Sequence, residues 1–141
     1  MKKFLLAASL LHAPAALSFA QPPIPPPPSD TPPPPAPEKA GAMNISPGLS
    51  REGVKDAIVA ALAKRGWQVV SSTRSEVRGH MLHHKKDANL IFQFDAAHID
   101  ILSDSYVVDG AGVRTARIIP NDWIENLEQD IREFAAHMPQ K

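Results

Sequence analysis

The apolar residues between positions 50 and 66 recur with a helical repeat. This segment, SREGVKDAIVAALAKRG, predicts an amphipathic helix. Ser50 is a typical residue for the cap at the start of such a helix, and Gly66 is typical of the position just beyond its end. The predicted core-facing residues of this helix are Val54, Ala57, Ile58, Ala61 and Leu62.

Strand-like patterns follow, and a second helix closes the chain. The predicted strands are WQVVSS (67–72), SEVRGHML (75–82), NLIFQFD (89–95) and HIDILSDS (98–105). DGAG (109–112) predicts a loop, and Asn121 after Pro120 is a candidate cap for the closing helix. The apolar stripe of that helix is Trp123, Ile124, Leu127, Ile131, Phe134 and Met138.

The element order α-β-β-β-β-α predicts an α+β domain of two layers. We expect an antiparallel four-stranded meander with both helices on one face of the sheet. Trp67 and Trp123 fall where helix and sheet should meet. We expect both to be core residues rather than platforms for a ligand, because a large aromatic ring at such a junction buries much apolar area.

The strand pattern also predicts a register. A two-residue turn at Lys86-Asp87 would place His80 opposite Gln93, Leu82 opposite Ile91 and Arg78 opposite Asp95. A second turn at Ala96-Ala97 would place Asp100 opposite Gln93. In this register the apolar residues of neighbouring strands share one face, which is the expected core face.

HMLHH (80–84) holds three of the six histidines of the chain. In a strand, His80 and His84 lie on the same face but roughly 13 Å apart, while His83 points to the other face. Metal–nitrogen bonds are about 2 Å long, so a strand does not bring the three together around one ion. We expect His80 and His84 on the outer face and His83 at the edge of the core.

The outer face of the predicted sheet carries the candidate site. Leu82, Ile91 and Leu102 would form an apolar row across three strands, beside a polar row of His80, Gln93 and Asp100. If both helices cover the opposite face, the apolar row is open to solvent, and an apolar strip with a polar rim indicates a partner-binding or self-association surface. The alternatives are scattered surface leucines without a function, or a cover formed by residues 105–117.

Two other uses of these residues stay open. The polar row could bind a small molecule or a metal. A hydrolase could use His80 and Asp100 for acid–base work and Ser103 or Ser105 as the nucleophile. The chain has no G-x-S-x-G, no phosphate-binding glycine loop and no H-E-x-x-H. We therefore expect a non-catalytic protein without a cofactor.

The N-terminus predicts export. Lys2 and Lys3 precede the apolar stretch FLLAASLLHAPAALSF, and Ser18 and Ala20 stand at the −3 and −1 positions of a cleavage site. This is the pattern of a secretory signal peptide at residues 1–20. The apolar stretch is interrupted and short for a membrane span. We expect a periplasmic or secreted protein with no span after cleavage.

A proline-rich segment follows. Eleven of the sixteen residues from Pro22 to Pro37 are proline. Proline fixes φ and lacks the amide donor, so this segment should form an extended polyproline II spacer. We predict a disordered spacer at 21–44, with EKAGAMN as its flexible end, and the folded domain at 45–141. The alternative is a docking ligand for an aromatic groove, which the absence of flanking basic residues disfavours.

The composition of the chain excludes several kinds of partner and of site. The chain has 15 basic and 15 acidic residues, so no strong field favours nucleic acid. It has no cysteine, which excludes disulfides, thiolate metal sites, a cysteine nucleophile and a lipidated N-terminal cysteine.

RGW (65–67) after the first helix and IIPNDWIENLEQDI (118–131) at the last helix resemble a family of small secreted bacterial envelope proteins, often lipoproteins. The resemblance covers about residues 49–134. The chain departs from the family in two respects: it lacks the lipidated cysteine, and it lacks a tyrosine ahead of the closing helix. The resemblance implies an α+β fold and an envelope location, and it implies no catalytic residues. The combined expectation is an envelope protein that binds another envelope protein, or a second copy of itself, through the outer face.

Overall fold

The computed structural model describes residues 20–28 and 32–139, which belong to two units, Met1–Pro34 and Pro35–Lys141. In the first unit, residues 20–28 and 32–34 are exposed and form neither helix nor strand. The predicted signal peptide lies, apart from Ala20, outside the described residues. Neither helix in the described part of the chain is long and apolar enough to cross a membrane.

The second unit is an α+β domain, as predicted, but its sheet is larger than the expected four strands. The described residues form seven strands and two helices. In chain order these are β1 (Glu38–Asn44), α1 (Arg51–Lys64), β2 (Gln68–Ser72), β3 (Glu76–His83), β4 (Lys86–Phe94), β5 (His98–Ser103), β6 (Ser105–Val108), β7 (Arg114–Ile118) and α2 (Asn121–His137).

The sheet is antiparallel, with strand order β1-β5-β4-β3-β2. The predicted meander is therefore present as β2 to β5. β6 continues β5 along β4 in the same register, and β7 pairs with β6. β1 and β7 therefore lie beyond the edge that β5 and its continuation β6 would otherwise form.

The segment EKAGAMN, predicted to be the flexible end of the spacer, is β1. It pairs with β5 from Glu38 opposite Ser103 to Asn44 opposite His98. Its Met43 lies opposite Ile99 and is buried in the core. The expectation was wrong because the strand gains its order from hydrogen bonds to β5, while its own residues have little strand propensity.

Both predicted ends of α1 are confirmed. The backbone N–H of Gly53 donates to Ser50 Oγ at 3.1 Å. At the other end, Trp67 N–H donates to the Leu62 carbonyl at 2.9 Å and Gly66 N–H to the Ala63 carbonyl at 3.1 Å. Gly66 has φ +76°, so these bonds form a Schellman motif with glycine in the left-handed region.

The predicted cap of α2 is wrong by one residue. Pro120 occupies the cap position, and Asn121 is the first helical residue, with no side-chain hydrogen bond to the cap. The Pro120 carbonyl accepts from Ile124 N–H at 3.0 Å instead. Proline suits the start of a helix because its fixed φ is compatible with the first turn and it has no donor to leave unpaired.

One core joins the two helices to one face of the sheet. The sheet contributes Val77, Leu90, Phe92, Ile99 and Ile101, all fully buried. β3 approaches α1 closely at Gly79, where an added Cβ would lie 2.9 Å from Leu62 Cδ2 and 3.4 Å from Trp67 Cε3. The core face is the one that the sequence pattern predicted.

The turn between β3 and β4 differs from the prediction. His83 pairs with Lys86, so the two turn residues are His84 and Lys85, with φ +47° and +61°. The predicted turn at Lys86-Asp87 is wrong by two residues, which moves every β4 partner by four. The shift is even, so each side chain keeps its face. The second turn, at Ala96-Ala97, is confirmed by the pairing of Phe94 with Ile99.

Candidate functional site

The face of the sheet opposite the helices, here called the outer face, has an apolar centre. Ile91 on β4 lies directly opposite Leu102 on β5 and opposite Arg78 on β3. Ile91 is only 7% exposed although it lies outside the helix-side core, and Leu102 is half-buried. Neighbouring side chains of the same face therefore cover Ile91.

Leu82 does not join this centre. It pairs with Asp87 rather than with Ile91, at the end of the β3–β4 hairpin. It lies four positions along β3 from Arg78, the β3 neighbour of Ile91, which corresponds to roughly 13 Å. Leu82 is 63% exposed. The predicted apolar row is thus a two-residue centre plus one isolated leucine.

The predicted polar row is also divided. Gln93 and Asp100 are cross-strand partners, as expected. His80 lies opposite Asn89, in a different row, and the predicted pairing of His80 with Gln93 is wrong. Gln93 instead lies opposite Glu76, to whose Oε2 its side-chain amide donates at 3.3 Å. Arg78 likewise does not face Asp95; its Nε contacts Glu76 Oε1 at 2.7 Å.

Asp87 is the centre of an ion-pair network near the hairpin end. Its Oδ1 lies 2.7 Å from His80 Nε2 and its Oδ2 lies 3.0 Å from Arg114 Nε. The Arg114 guanidinium stacks 4.6 Å from the centroid of the Tyr106 ring. Burial raises the pKa of Asp87, but the hydrogen bonds from His80 and Arg114 outweigh it and hold the pKa below its usual value.

Asp100 is the centre of a second network, nearer the other end of β5. Its Oδ1 lies 3.2 Å from Lys39 Nζ on β1 and 3.1 Å from His98 Nε2. The other ring nitrogen of His98 lies 2.9 Å from Asn44 Oδ1, also on β1. Hydrogen bonds from Lys39 and His98 lower the pKa of Asp100. The network therefore ties the edge strand β1 to β5 with an ionised carboxylate.

These networks are poorly suited to a metal ion. In each, a basic side chain already neutralises the carboxylate next to the histidine, as Arg114 does for Asp87 and Lys39 for Asp100. A cation would have to displace that side chain. Within residues 20–28 and 32–139, no group of three or more histidine or acidic side chains is arranged to hold a metal ion.

The residues considered for a hydrolase are not brought together. Ser103 and Ser105 are buried, with Ser103 Oγ donating to Ser105 Oγ at 2.9 Å. Ser103 alternates with Asp100 and Leu102 along β5 and so faces the opposite side of the sheet. His80 and Asp100 belong to the two separate networks described above.

The residues of HMLHH lie where a strand places them. His80 is on the outer face, paired with Asp87. His83 lies on the helix side but is exposed, with its ring 6.3 Å from that of Trp123. His84 is in the turn, and its ring centroid is 3.9 Å from that of His83. The prediction that His83 borders the core is thus close in position, although its side chain is open to solvent.

A second candidate region was not predicted as a site. Arg65 Nε lies 2.5 Å from Asp130 Oδ2, and Lys64 Nζ lies 2.9 Å from Asp130 Oδ1. Asp130 is 2% exposed, and the hydrogen bond from Arg65, followed by that from Lys64, lowers its pKa against the effect of burial. These residues belong to the RGW and closing-helix motifs, which are therefore in direct contact.

The tryptophans of the same two motifs are also in contact. The rings of Trp67 and Trp123 meet edge to face, with centroids 5.9 Å apart. Trp67 is buried, as predicted, whereas Trp123 is half-buried. Two clefts border Trp123, of about 220 Å³ and about 180 Å³. We call them together the Trp123 groove; its walls are Arg65, Trp67, Met81, His83, Lys86, Ile119, Pro120, Asn121, Asp122, Trp123 and Asn126.

Comparison of the chain with protein-family models, curated proteins and solved structures finds no significant match.

Proposed function

We propose that this chain is an exported bacterial envelope protein whose α+β domain binds a protein partner without catalysing a reaction. The signal-peptide pattern supports export, and the resemblance of the RGW and closing-helix motifs supports membership of the small envelope-protein family. The partner is another envelope protein or a second copy of the chain. The proline-rich segment is an extended spacer ahead of the domain.

The single observation that carries this proposal is the apolar centre of the outer face. Ile91, which is 7% exposed, and the half-buried Leu102 lie side by side on a face that neither helix of the described residues covers. A sheet face that only meets water is usually polar, whereas an apolar centre with a polar rim is the arrangement of protein–protein interfaces.

The rim favours a protein over a polyanion. Its acidic residues are matched by basic ones on the same face, as in Glu76 with Arg78 and Asp87 with Arg114. The rim is therefore close to neutral, and it lacks the continuous positive field with which nucleic-acid-binding surfaces attract phosphates. Paired rim charges give an interface specificity and register rather than strong attraction.

The proposal is tested by crosslinking in the native envelope with the wild type and three variants. Leu102→Asp places a charge in the apolar centre and should abolish the crosslinked species that the wild type forms. Gln93→Lys changes an exposed rim residue that does not stabilise the core and should weaken the same species. Glu125→Lys, on the exposed side of α2, is the matched charge-changing control and should leave it unchanged.

Circular dichroism separates loss of binding from loss of fold. If Leu102→Asp unfolds the domain, Gln93→Lys decides the question alone. Identical crosslinking by the wild type, Leu102→Asp and Gln93→Lys would show that the outer face is not the interface.

Export has its own test. The mature protein recovered from the periplasm or medium should begin at Gln21, as read by intact mass. A chain that retains residues 1–20 and sediments with membranes would contradict the cleaved signal peptide.

A further inference from the structure

The Trp123 groove has the composition of a binding site rather than of a core defect. Its two clefts lie side by side and share the Trp123 ring as a wall. Trp67 lines the larger cleft, and Pro120 lines the smaller one. The groove is on the helix side of the sheet, so it is separate from the outer face.

Hydrogen-bond donors line this groove. No hydrogen bond within the described residues uses the indole N–H of Trp67 or Trp123. In that part of the chain, Asp104 Oδ1 is the one buried side-chain polar atom without a hydrogen-bond partner. The two indole N–H groups, which also have none, are therefore not fully buried. Asn126 is exposed and adds an amide donor to the larger cleft. The groove thus offers flat apolar rings together with donors for a ligand's carbonyl groups.

The rim of the groove is mainly basic. Lys86 lines the smaller cleft, and its Nζ lies 5.4 Å from the centroid of the Trp123 ring, a residue that borders both clefts. Arg65 borders the larger cleft, and its side chain is 39% exposed beside Asp130. His83 lines the same cleft. Asp122 is the one acidic side chain among the lining residues. A ligand with a negative charge near its middle would complement Lys86.

A polyproline II helix matches this arrangement. It has three residues per turn and a rise of about 3.1 Å, so every third residue faces the same way, roughly 9 Å apart. Two such residues can enter neighbouring clefts on either side of an aromatic ring. Its backbone has no internal hydrogen bonds, so its carbonyl groups are free to accept from indole N–H groups.

The chain itself contains a segment of this chemistry. Two runs of four prolines, 25–28 and 32–35, are separated by Ser29, Asp30 and Thr31. The acidic Asp30 is thus central, and its charge is opposite to that of Lys86. We propose that the Trp123 groove is a polyproline-binding site and that its occupant is the proline-rich segment, residues 22–37, of a second copy of this chain.

Both tryptophans of the chain line the groove, so tryptophan fluorescence reports on it directly. The protein used is the full chain without its signal peptide and with the prolines at 25–28 and 32–35 changed to serine, which removes the internal competitor. Titration with a peptide of residues 22–37 should change the fluorescence saturably. A peptide with the same eight prolines changed to serine should give no saturable change.

Variants in the groove identify the contacts. Trp123→Ala should weaken peptide binding about tenfold or more by isothermal titration calorimetry, because central aromatic anchors carry most of the affinity. Lys86→Glu should weaken it severalfold, and Asp30→Asn in the peptide should reproduce part of that loss. Arg51→Glu is the matched charge-reversal control, because Arg51 lies at the end of α1 that is far from the groove residue Arg65. This variant should bind the peptide as the parent protein does. If Trp123→Ala unfolds, Lys86→Glu and Asn126→Asp still test the groove.

The wild-type chain tests whether the occupant of the groove comes from a second copy. Sedimentation should show self-association that rises with concentration and weakens in the chain with the eight serines. The proposal is overturned if the peptide gives no saturable signal, if the proline-free peptide binds equally, or if phosphate alone produces the same change. A wild-type chain that stays monomeric while the peptide binds would overturn the assignment to a second copy. Because the proposed outer-face interface could also join two copies, the comparison is repeated with Gln93→Lys in both chains, where the eight serines should still weaken the self-association.

Discussion

Arg65 Nε lies 2.5 Å from Asp130 Oδ2, and this contact joins the end of α1 to the middle of α2. Asp130 is almost completely buried, while Arg65 and Lys64 reach it from a partly exposed position. The contact gives the two sequence motifs a structural role. It fixes the relative position of the helices, and with them the Trp67–Trp123 pair.

Asp130→Ala should lower the free energy of unfolding by about 2 kcal/mol, because it removes a carboxylate that accepts hydrogen bonds from two charged groups. Urea unfolding followed by tryptophan fluorescence measures the change. Glu133→Gln is the control: Glu133 is exposed and 3.6 Å from Lys64, so its loss should change stability by less than about 0.5 kcal/mol. Equal effects of the two variants would contradict a special role for Asp130.

The same carboxylate should make stability depend on acid pH. The pKa of Asp130 in the folded protein is below its ordinary value of 3.8, because of the hydrogen bonds from Arg65 and Lys64. The contribution of Asp130 to the free energy of unfolding is therefore complete above this ordinary pKa. It is lost as the pH falls through the lower pKa of the folded protein. The difference in unfolding free energy between the wild type and Asp130→Asn should be constant near pH 7 and shrink below about pH 4. A difference that is the same at pH 3 and pH 7 would argue against this linkage.

The β3–β4 turn should be open to stabilisation. His84 and Lys85 have φ +47° and +61°, a conformation that glycine and asparagine adopt at lower cost. Replacing the pair with Asn-Gly should raise the free energy of unfolding by about 1 kcal/mol. Gly112→Ala is the opposite control, since its φ of +81° should make alanine destabilising. A less stable Asn-Gly variant would indicate a different turn.

Gly79→Ala should be destabilising by about 1 to 3 kcal/mol, because its new methyl group would lie 2.9 Å from Leu62 Cδ2 in the core. Gly110→Ala adds the same group at a site with no neighbour within 4 Å and should be close to neutral. Thermal unfolding of both variants measures the difference. A neutral Gly79→Ala would mean that α1 can move away from β3.

Features set by adjacent residues could be predicted from the sequence. Ser50 and Gly66 mark the ends of α1 because a cap and a left-handed glycine act within one turn of the helix. The face of each strand was also predictable, since alternation at period two depends on the strand alone. The core face that includes Val77 and Phe92 was thus correct.

The pairing of the strands was not predictable in the same way. A slip by an even number of residues keeps every side chain on its face, so the apolar pattern cannot distinguish a turn at His84-Lys85 from one at Lys86-Asp87. His84 and Lys85 also lack the usual turn residues. In the observed register Leu82 is separated from Ile91. The predicted candidate site was therefore altered, although the predicted core face was correct.

The sequence by itself determined the two helices, the four-strand meander and the face of the core, because these depend on local conformational preference and on the repeat of apolar residues. Only the tertiary structure decided the strand β1, the register of the hairpin, and the contacts Arg65–Asp130 and Trp67–Trp123. These depend on hydrogen bonds and packing between segments up to about 65 residues apart. No local pattern encodes which of several compatible partners such a segment will meet.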